Sequence, residues 1–272
     1  MKLNRTVLAL GAAAALLAAT TSCTRLQARD RLNKGVHAFK SAKYAEAVEH
    51  FKVATDLDPD FPHARLYLAS AYMSQYIPGA ESPENLEMAK TARDEFQKVL
   101  DKDPKNTLAL ASIATLFFHQ KKWDECEEWN KKLIEANAEA KEAYYTLGVI
   151  SWTRSFQKRM EARAKLGMKP EDPGPVKDAK VRKQLAADLL PTINTGIDNL
   201  TKALSIDKEY DDAMAYMNLL HRERADLQDE KDAYKKDTDD ADMWVQKTLE
   251  TKKLKQQRLA EKQAQGIIRE DK

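Results

Sequence analysis

The chain has 272 residues, of which 32% are charged, with only 8 glycines and 2 cysteines and a net charge of +2. Two cysteines cannot build a disulfide framework; the near-neutral balance argues neither for nor against nucleic acid, and no nucleic-acid partner is expected. Few glycines and no alternating apolar–polar runs exclude a strand-based fold and point to an all-α chain.

At the N-terminus, Lys2 and Arg5 precede 13 small or apolar residues, 7–19. That run is short of the roughly 20 residues needed to span a bilayer as a helix. A charged start, a short apolar run and small residues after it describe a secretory signal over residues 1–22. Thr20, Thr21, Ser22 and Cys23 close it. They resemble the end of a bacterial lipoprotein signal, although Thr20 stands where leucine is usual. The resemblance implies cleavage before Cys23 and acylation of that cysteine. It also implies a short linker, 23–27, and a cell-envelope location. Thr24 in place of aspartate favours the outer membrane, with the protein facing the periplasm.

The next segments are helical and repetitive. Ala47, Phe51 and Ala54 recur at four and three residues, placing a small–bulky–small stripe on one helix face. Pro59 ends that helix, because the residue before a proline is pushed out of the helical region. Gly35 lies 12 residues before Ala47 on an upstream amphipathic stretch. Its equivalents follow at Ala69, Ala114, Gly148 and Asn218, spaced 34, 45, 34 and 70 residues. The equivalents of Ala47 are Ala92, Cys126, Gly196 and Ala241. Both series agree only if 11, 36 and 11 residues are inserted between the two helices of the second, fourth and fifth units.

A 34-residue helix–turn–helix period resembles the tetratricopeptide repeat (TPR) family. The residues that carry the likeness begin with Gly35, Ala47, Phe51, Ala54 and Pro59. Leu68, Ala69, Tyr72, Ala92, Phe96 and Pro104 follow, then Leu110, Ala114 and Cys126. Gly148, Gly196, Leu200 and Ala203 make the fourth set. Met214, Met217, Asn218, Ala241, Val245 and Thr248 form a fifth, weaker match. The resemblance implies a right-handed superhelical solenoid of about five hairpins. Their expected spans are 28–61, 62–106, 107–140, 141–210 and 211–255. Cys126 is then a small packing residue rather than a reactive thiol.

The insertion of the fourth unit, 153–190, holds ten Lys/Arg and five Asp/Glu. The first helix of that unit should run on to Leu166 and break at Gly167. A second helix should span 176–190, with Pro191 opening the unit's second repeat helix. Arg154, Lys158, Arg159 and Arg163 would make this a projecting basic arm for an anionic surface. Residues 256–272 read as a polar extension of the last helix that frays.

Catalytic signals are absent from the sequence. The five histidines are scattered, with no zinc-binding pair, nucleophile elbow or phosphate loop. No cofactor or metal is expected. The stretch 237–242 is rich in aspartate but lacks the glycine and terminal glutamate of an EF-hand. It reads instead as a capped helix start at Asp239 or Asp240.

The TPR resemblance places first helices on a concave surface, which would carry Phe39, Tyr67, Met73, Phe118, Tyr145, Trp152 and Tyr216. An aromatic groove suits an extended peptide or helix. Leu32 and Val36 occupy positions where a carboxylate clamp would need polar groups, so chaperone tails are not expected as ligands. The sequence thus describes a non-enzymatic scaffold of the bacterial cell envelope that binds a protein or peptide. A glycan-binding envelope lipoprotein with aromatic platforms is the alternative.

Overall fold

The computed structural model describes residues 5–264, with side chains from Cys23 onward, Pro62 aside. Lys2, residues 7–19 and Thr20, which carry much of the export-signal reading, have no described side chains. Among the described residues there are ten helices and no strand. They are α1 (Arg5–Lys40), α2 (Tyr44–Leu57), α3 (Pro62–Gln75), α4 (Pro83–Leu100), α5 (Thr107–His119), α6 (Trp123–Ala136), α7 (Lys141–Lys165), α8 (Ala179–Ile206), α9 (Asp211–Ala225) and α10 (Lys231–Ala264). No described helix is long and apolar enough to cross a membrane. The chain forms two compact units, residues 1–132 and 133–272.

In the first unit, small residues decide where helices meet. Gly35 on α1 faces Phe51 on α2 so closely that a Cβ there would lie 2.6 Å from Phe51 Cδ1. Phe51 is buried with Ala38, Ala47, Val48, Leu68 and Ala71. Helix α2 stops at Leu57, and Asp58, pushed out of the helical region before Pro59, ends it. Helices α3 and α4 each begin on a proline, where the missing N–H costs no intrahelical bond. Ser82 Oγ caps α4 by accepting from Asn85 N at 3.2 Å, and Asn106 Oδ1 caps α5 by accepting from Ala109 N at 3.1 Å.

The short turns repeat one backbone solution. Ala42 (φ 57°) and Lys121 (φ 56°) both take the left-handed conformation. After α1, Lys43 N donates to Ala38 O at 2.9 Å, and after α5, Lys122 N donates to Phe117 O at 3.0 Å. Such a bond spanning five residues marks a Schellman-type helix end. The longer connection between α3 and α4, residues 76–82, is gathered by Asn85. Its side-chain amide donates to Ile77 O and Ala80 O at 2.8 and 2.7 Å, and its oxygen accepts from Ile77 N at 2.7 Å.

The second unit uses the same lock. A Cβ on Gly148 of α7 would lie 2.6 Å from Leu200 Cδ2 of α8, as Gly35 stands to Phe51. Leu189, Ile193, Leu200, Ala203, Ala213, Met217, Leu220 and Leu227 form its core. The extra residues fall between the two helices of a hairpin, as the spacing required: before α4, across the α7–α8 connection, and ahead of Ala241 on α10.

Four local expectations fail. Residues 23–27 are helical within α1 rather than a linker. Helix α7 ends at Lys165, with Gly167 at φ 68° as foreseen, but α8 begins at Ala179 and runs unbroken through Pro191. Pro191 is exposed, so the carbonyl it leaves unbonded one turn earlier is on the wetted side, where a proline is tolerated best. Helix α10 starts at Lys231, so Asp239 and Asp240 lie inside it and cap nothing. The fourth concerns Arg159 and Arg163, whose surroundings follow below.

Candidate partner-binding face

Helix α7 carries one stripe of Tyr145, Trp152, Phe156, Arg159 and Arg163, recurring at seven, four, three and four residues. Asp212, Tyr216, Glu223 and Asp226 recur likewise along α9 and its C-cap. The two helices are neighbours, and the stripes meet along a seam with two chemistries.

One half of the seam is aromatic. Tyr145 lies 5.1 Å from Tyr210 and 5.6 Å from Tyr216, centroid to centroid. Trp152 stands edge-on to Tyr216 at 5.5 Å and stacks on Phe156 at 4.9 Å. These rings are half-buried, apart from Phe156, which is 38% exposed. Their inner edges pack on the core while their outer surfaces stay accessible. Burial, with the nearby charge of Asp212, pushes the Tyr145 hydroxyl up to about 12. Burial and the same carboxylate also raise Tyr216, and Tyr210 shifts upward too. All three stay protonated across the physiological range.

The other half is ionic and closed. Arg159 donates to both oxygens of Glu223, at 2.6 and 2.8 Å, and also to Asp226. Arg163, only 1% exposed, reaches Asp226 Oδ2 at 3.0 Å. It also donates to the carbonyls of Lys169, Asp172 and Gly174 at 3.1, 2.6 and 3.3 Å. Burial raises the Glu223 carboxyl, and the Arg159 guanidinium works against that rise. The sequence reading of Arg159 and Arg163 as outward-facing cations is therefore corrected: their charge is spent inside the unit. Their side of the insertion folds back instead of projecting. Val176 N donates to Asp226 O at 3.0 Å, and Arg182 bridges Val176 O at 2.6 Å and Asp229 at 2.7 Å. Lys158 remains exposed, 3.9 Å from Asp188, and Arg154 is half-buried.

Comparison with known proteins assigns the fold. Residues 32–76 match the family model described as tetratricopeptide repeat. A crystal structure of MamA protein shares 15% identity at a TM-score of 0.56, covering 85% of this chain and 94% of its own. MamA 41-end from Desulfovibrio magneticus RS-1 shares 17% at 0.52, covering 84% and 96%. At such identities the likeness establishes the helical-repeat fold. No curated protein sequence matches the chain.

In the first unit Phe39, Tyr67 and Phe118 each meet a ring outside the expected set. Phe39 meets Tyr44 at 5.3 Å, Tyr67 stacks on the buried Phe51 at 5.5 Å, and Phe118 stands edge-on to Trp123 at 5.5 Å. Met73 is half-buried on α3. The structure thus gathers Tyr145, Trp152 and Tyr216, and adds Phe156 and Tyr210, which the sequence reading missed. Phe156 was hidden by its place in the insertion, yet its four-residue spacing from Trp152 was there to be read.

The expected packing positions are mostly interior. Ala69, Ala92, Phe96, Ala114, Cys126, Gly196 and Ala203 are buried, as is Ala54, and Tyr72 is half-buried under Lys52. Pro59 and Pro104 are exposed, as helix-ending residues can be. Cys23 is exposed on α1. His221, Asp237 and Asp240 bring ligand atoms within 4.8 Å of one another. However, Arg224 donates to Asp237 at 2.6 and 2.9 Å and lies 3.3 Å from His221 Nδ1. A guanidinium in that position takes the place a cation would need, so the cluster ties α9 to α10.

Proposed function

We propose that this protein is a non-enzymatic interaction scaffold that binds a protein or peptide segment on the aromatic half of the α7–α9 seam. The observation that carries the reading is the run of accessible ring surface from Tyr216 through Trp152 to Phe156, on two helices locked by the ionic half. Aromatic rings supply large contact area at small conformational cost, and a rigid backing keeps that area in place. The helical-repeat fold supports a scaffold, since neighbouring hairpins present side chains on a continuous surface. Cys23, exposed and close behind the proposed cleavage point, anchors the chain by acylation in the bacterial envelope, at the outer membrane facing the periplasm. Two or more acyl chains give stable attachment where a single one does not.

Incorporating a photo-crosslinking phenylalanine analogue at Phe156 of the full-length protein in cells tests the face. A discrete protein adduct is expected, and Trp152→Ala with Tyr216→Ala should abolish it. Failure to crosslink at 156 while a control position in the first unit captures protein would move the binding surface elsewhere. For the anchor, wild type should take up labelled fatty acid and Cys23→Ala should not. No label in wild type ends the lipoprotein reading.

A further inference from the structure

The aromatic half of the seam is not chemically neutral. Asp212 is exposed at the start of α9, and its carboxylate makes no hydrogen bond or ion pair among the described residues. Its neighbour Asp211 is engaged by Lys255 and, at 3.8 Å, by Lys252. The positive end of the helix dipole favours Asp212 as an anion but leaves its oxygens open. One turn on, Tyr216 follows, and the charge of Asp212 is felt by Tyr145, Tyr210 and Tyr216 together. No hydroxyl of these three tyrosines makes a hydrogen bond among the described residues. Glu142 is exposed and paired with Lys141 at 3.9 Å, and its charge reaches Tyr210.

The chain already shows what such a setting attracts. Lys141 places its ammonium 5.1 Å from the Tyr210 ring centroid while pairing with Asp207 Oδ2 at 2.6 Å. A cation over a ring face with a carboxylate beside it is thus realised once in this cluster, and the Tyr145–Tyr216–Asp212 side repeats its parts without a cation of the chain's own.

We infer that Tyr145 and Tyr216, with Asp212, receive an arginine or lysine side chain of the bound segment. The inference rests on the aromatic face being the binding surface and adds the charge of what it takes. Ring faces carry negative electrostatic potential, which a guanidinium or ammonium seeks. The hydroxyls offer acceptor lone pairs, and Asp212 supplies the counter-charge. An anionic group would meet the Asp212 carboxylate and the negative faces of two rings, so an acidic segment is disfavoured at this point.

The test uses full-length protein in detergent micelles with carbon-labelled tyrosine rings, assigned by single Tyr→Phe variants. Two probes are titrated: acetyl-alanyl-arginyl-alanine amide and its citrulline counterpart, which keeps the shape and loses the charge. The arginine probe should shift the rings of Tyr145 and Tyr216. The citrulline probe should bind at least fivefold more weakly. Asp212→Asn should weaken the arginine probe at least threefold, with unchanged helicity. Equal shifts with both probes, or an unchanged affinity in Asp212→Asn, would overturn the charge preference while leaving a peptide-binding face intact. No shift at these rings with either probe would also overturn it, and the crosslink at position 156 then judges the face independently.

Discussion

The turns after α1 and α5 and the connection after α7 leave their helices alike, with Gly167 at φ 68° and Met168 N donating to Arg163 O at 2.9 Å, and then diverge. Each must reverse the chain, and after α1 and α7 the reversal brings a small residue on one helix against a bulky one on the next. The short turns do it in three residues, with Ala42 or Lys121 held in the left-handed conformation and one bond spanning five residues. After α7 the chain lengthens both helices and inserts residues 166–178 between them. Yet the contact it must deliver is unchanged: Leu200 stands over Gly148 as Phe51 stands over Gly35. The difference shows what holds a long connection. Backbone geometry suffices for three residues, whereas thirteen without secondary structure need an internal organiser, and Arg163 is that group.

The sharpest way to break the comparison is therefore Arg163→Ala. It removes one of the two arginines that hold Asp226, the one at 3.0 Å, and frees three carbonyls that the guanidinium gathers. Removing one member of a buried ion pair costs about 3–5 kcal/mol. Denaturant unfolding should register a loss of that order, and hydrogen exchange should show the 166–178 segment opening first. A loss confined to surface-substitution size would mean the connection holds itself together.

The shared contact is tested by Ala47→Leu. Ala47 is fully buried beside Phe51, so added methylenes must displace a helix, at a cost of about 1–3 kcal/mol. Unchanged thermal unfolding would remove Ala47 from the helix–helix contact. The effect should be felt in the first unit.

The α9–α10 connection adds a titratable tie. Desolvation alone would raise the Asp237 carboxyl, but hydrogen bonds from His221, Arg224 and Gln228 outweigh it and hold it at about 2. A depressed carboxyl stabilises the fold above its unfolded pKa of about 3.9. That contribution fades as pH falls toward 2, and the shift corresponds to about 2 kcal/mol. Acid unfolding of wild type should steepen between about pH 4 and pH 2, and Asp237→Asn should flatten that slope. Identical acid profiles would show that the tie carries no net charge stabilisation.

Sequence and structure agree where the signal is residue size at fixed spacing. Gly35, Ala47, Phe51, Gly148 and Leu200 declare their contacts because a close helix crossing admits few other residues. The same arithmetic located the insertions. What spacing could not show was pairing over distance: Arg163 reads as a surface cation until Asp226, 63 residues on, is seen beside it. Pro191 reads as a helix start because the rule for prolines is local, whereas α8 continues through it under tertiary packing. The aspartates at 237–242 mislead for a related reason. A cluster of cap-forming residues inside a helix signals an internal network only when Arg224 and His221 of the preceding helix are known. Of the seven expected aromatic-groove positions, Tyr145, Trp152 and Tyr216 converge because α7 and α9 are the same repeat position in adjacent units. Tyr67 departs because the face of α3 that carries it leans on Phe51.

The smallest effect probes the short turns. A non-glycine residue in the left-handed region carries a steric cost from its Cβ, of about 1 kcal/mol. Ala42 bears that cost at φ 57° while its N–H still donates to Phe39 O at 3.0 Å. Ala42→Gly relieves the clash without disturbing the bond, but it also loosens the unfolded chain, which takes back part of the gain. The expected outcome is a net stabilisation of roughly 0.5 kcal/mol, read as a small rise in the denaturant midpoint at constant slope. Lys121→Gly should behave alike, since it holds the same place after α5. Gly167→Ala is the converse case: its φ of 68° faces open space with no atom near a Cβ, so only backbone strain opposes the change. If the two gains match each other and the loss at 167 mirrors them, the left-handed residue is a local and interchangeable device. If Gly167→Ala costs several times more, the long connection depends on its own left-handed residue in a way the short turns do not, and strain there propagates into the shell around Arg163.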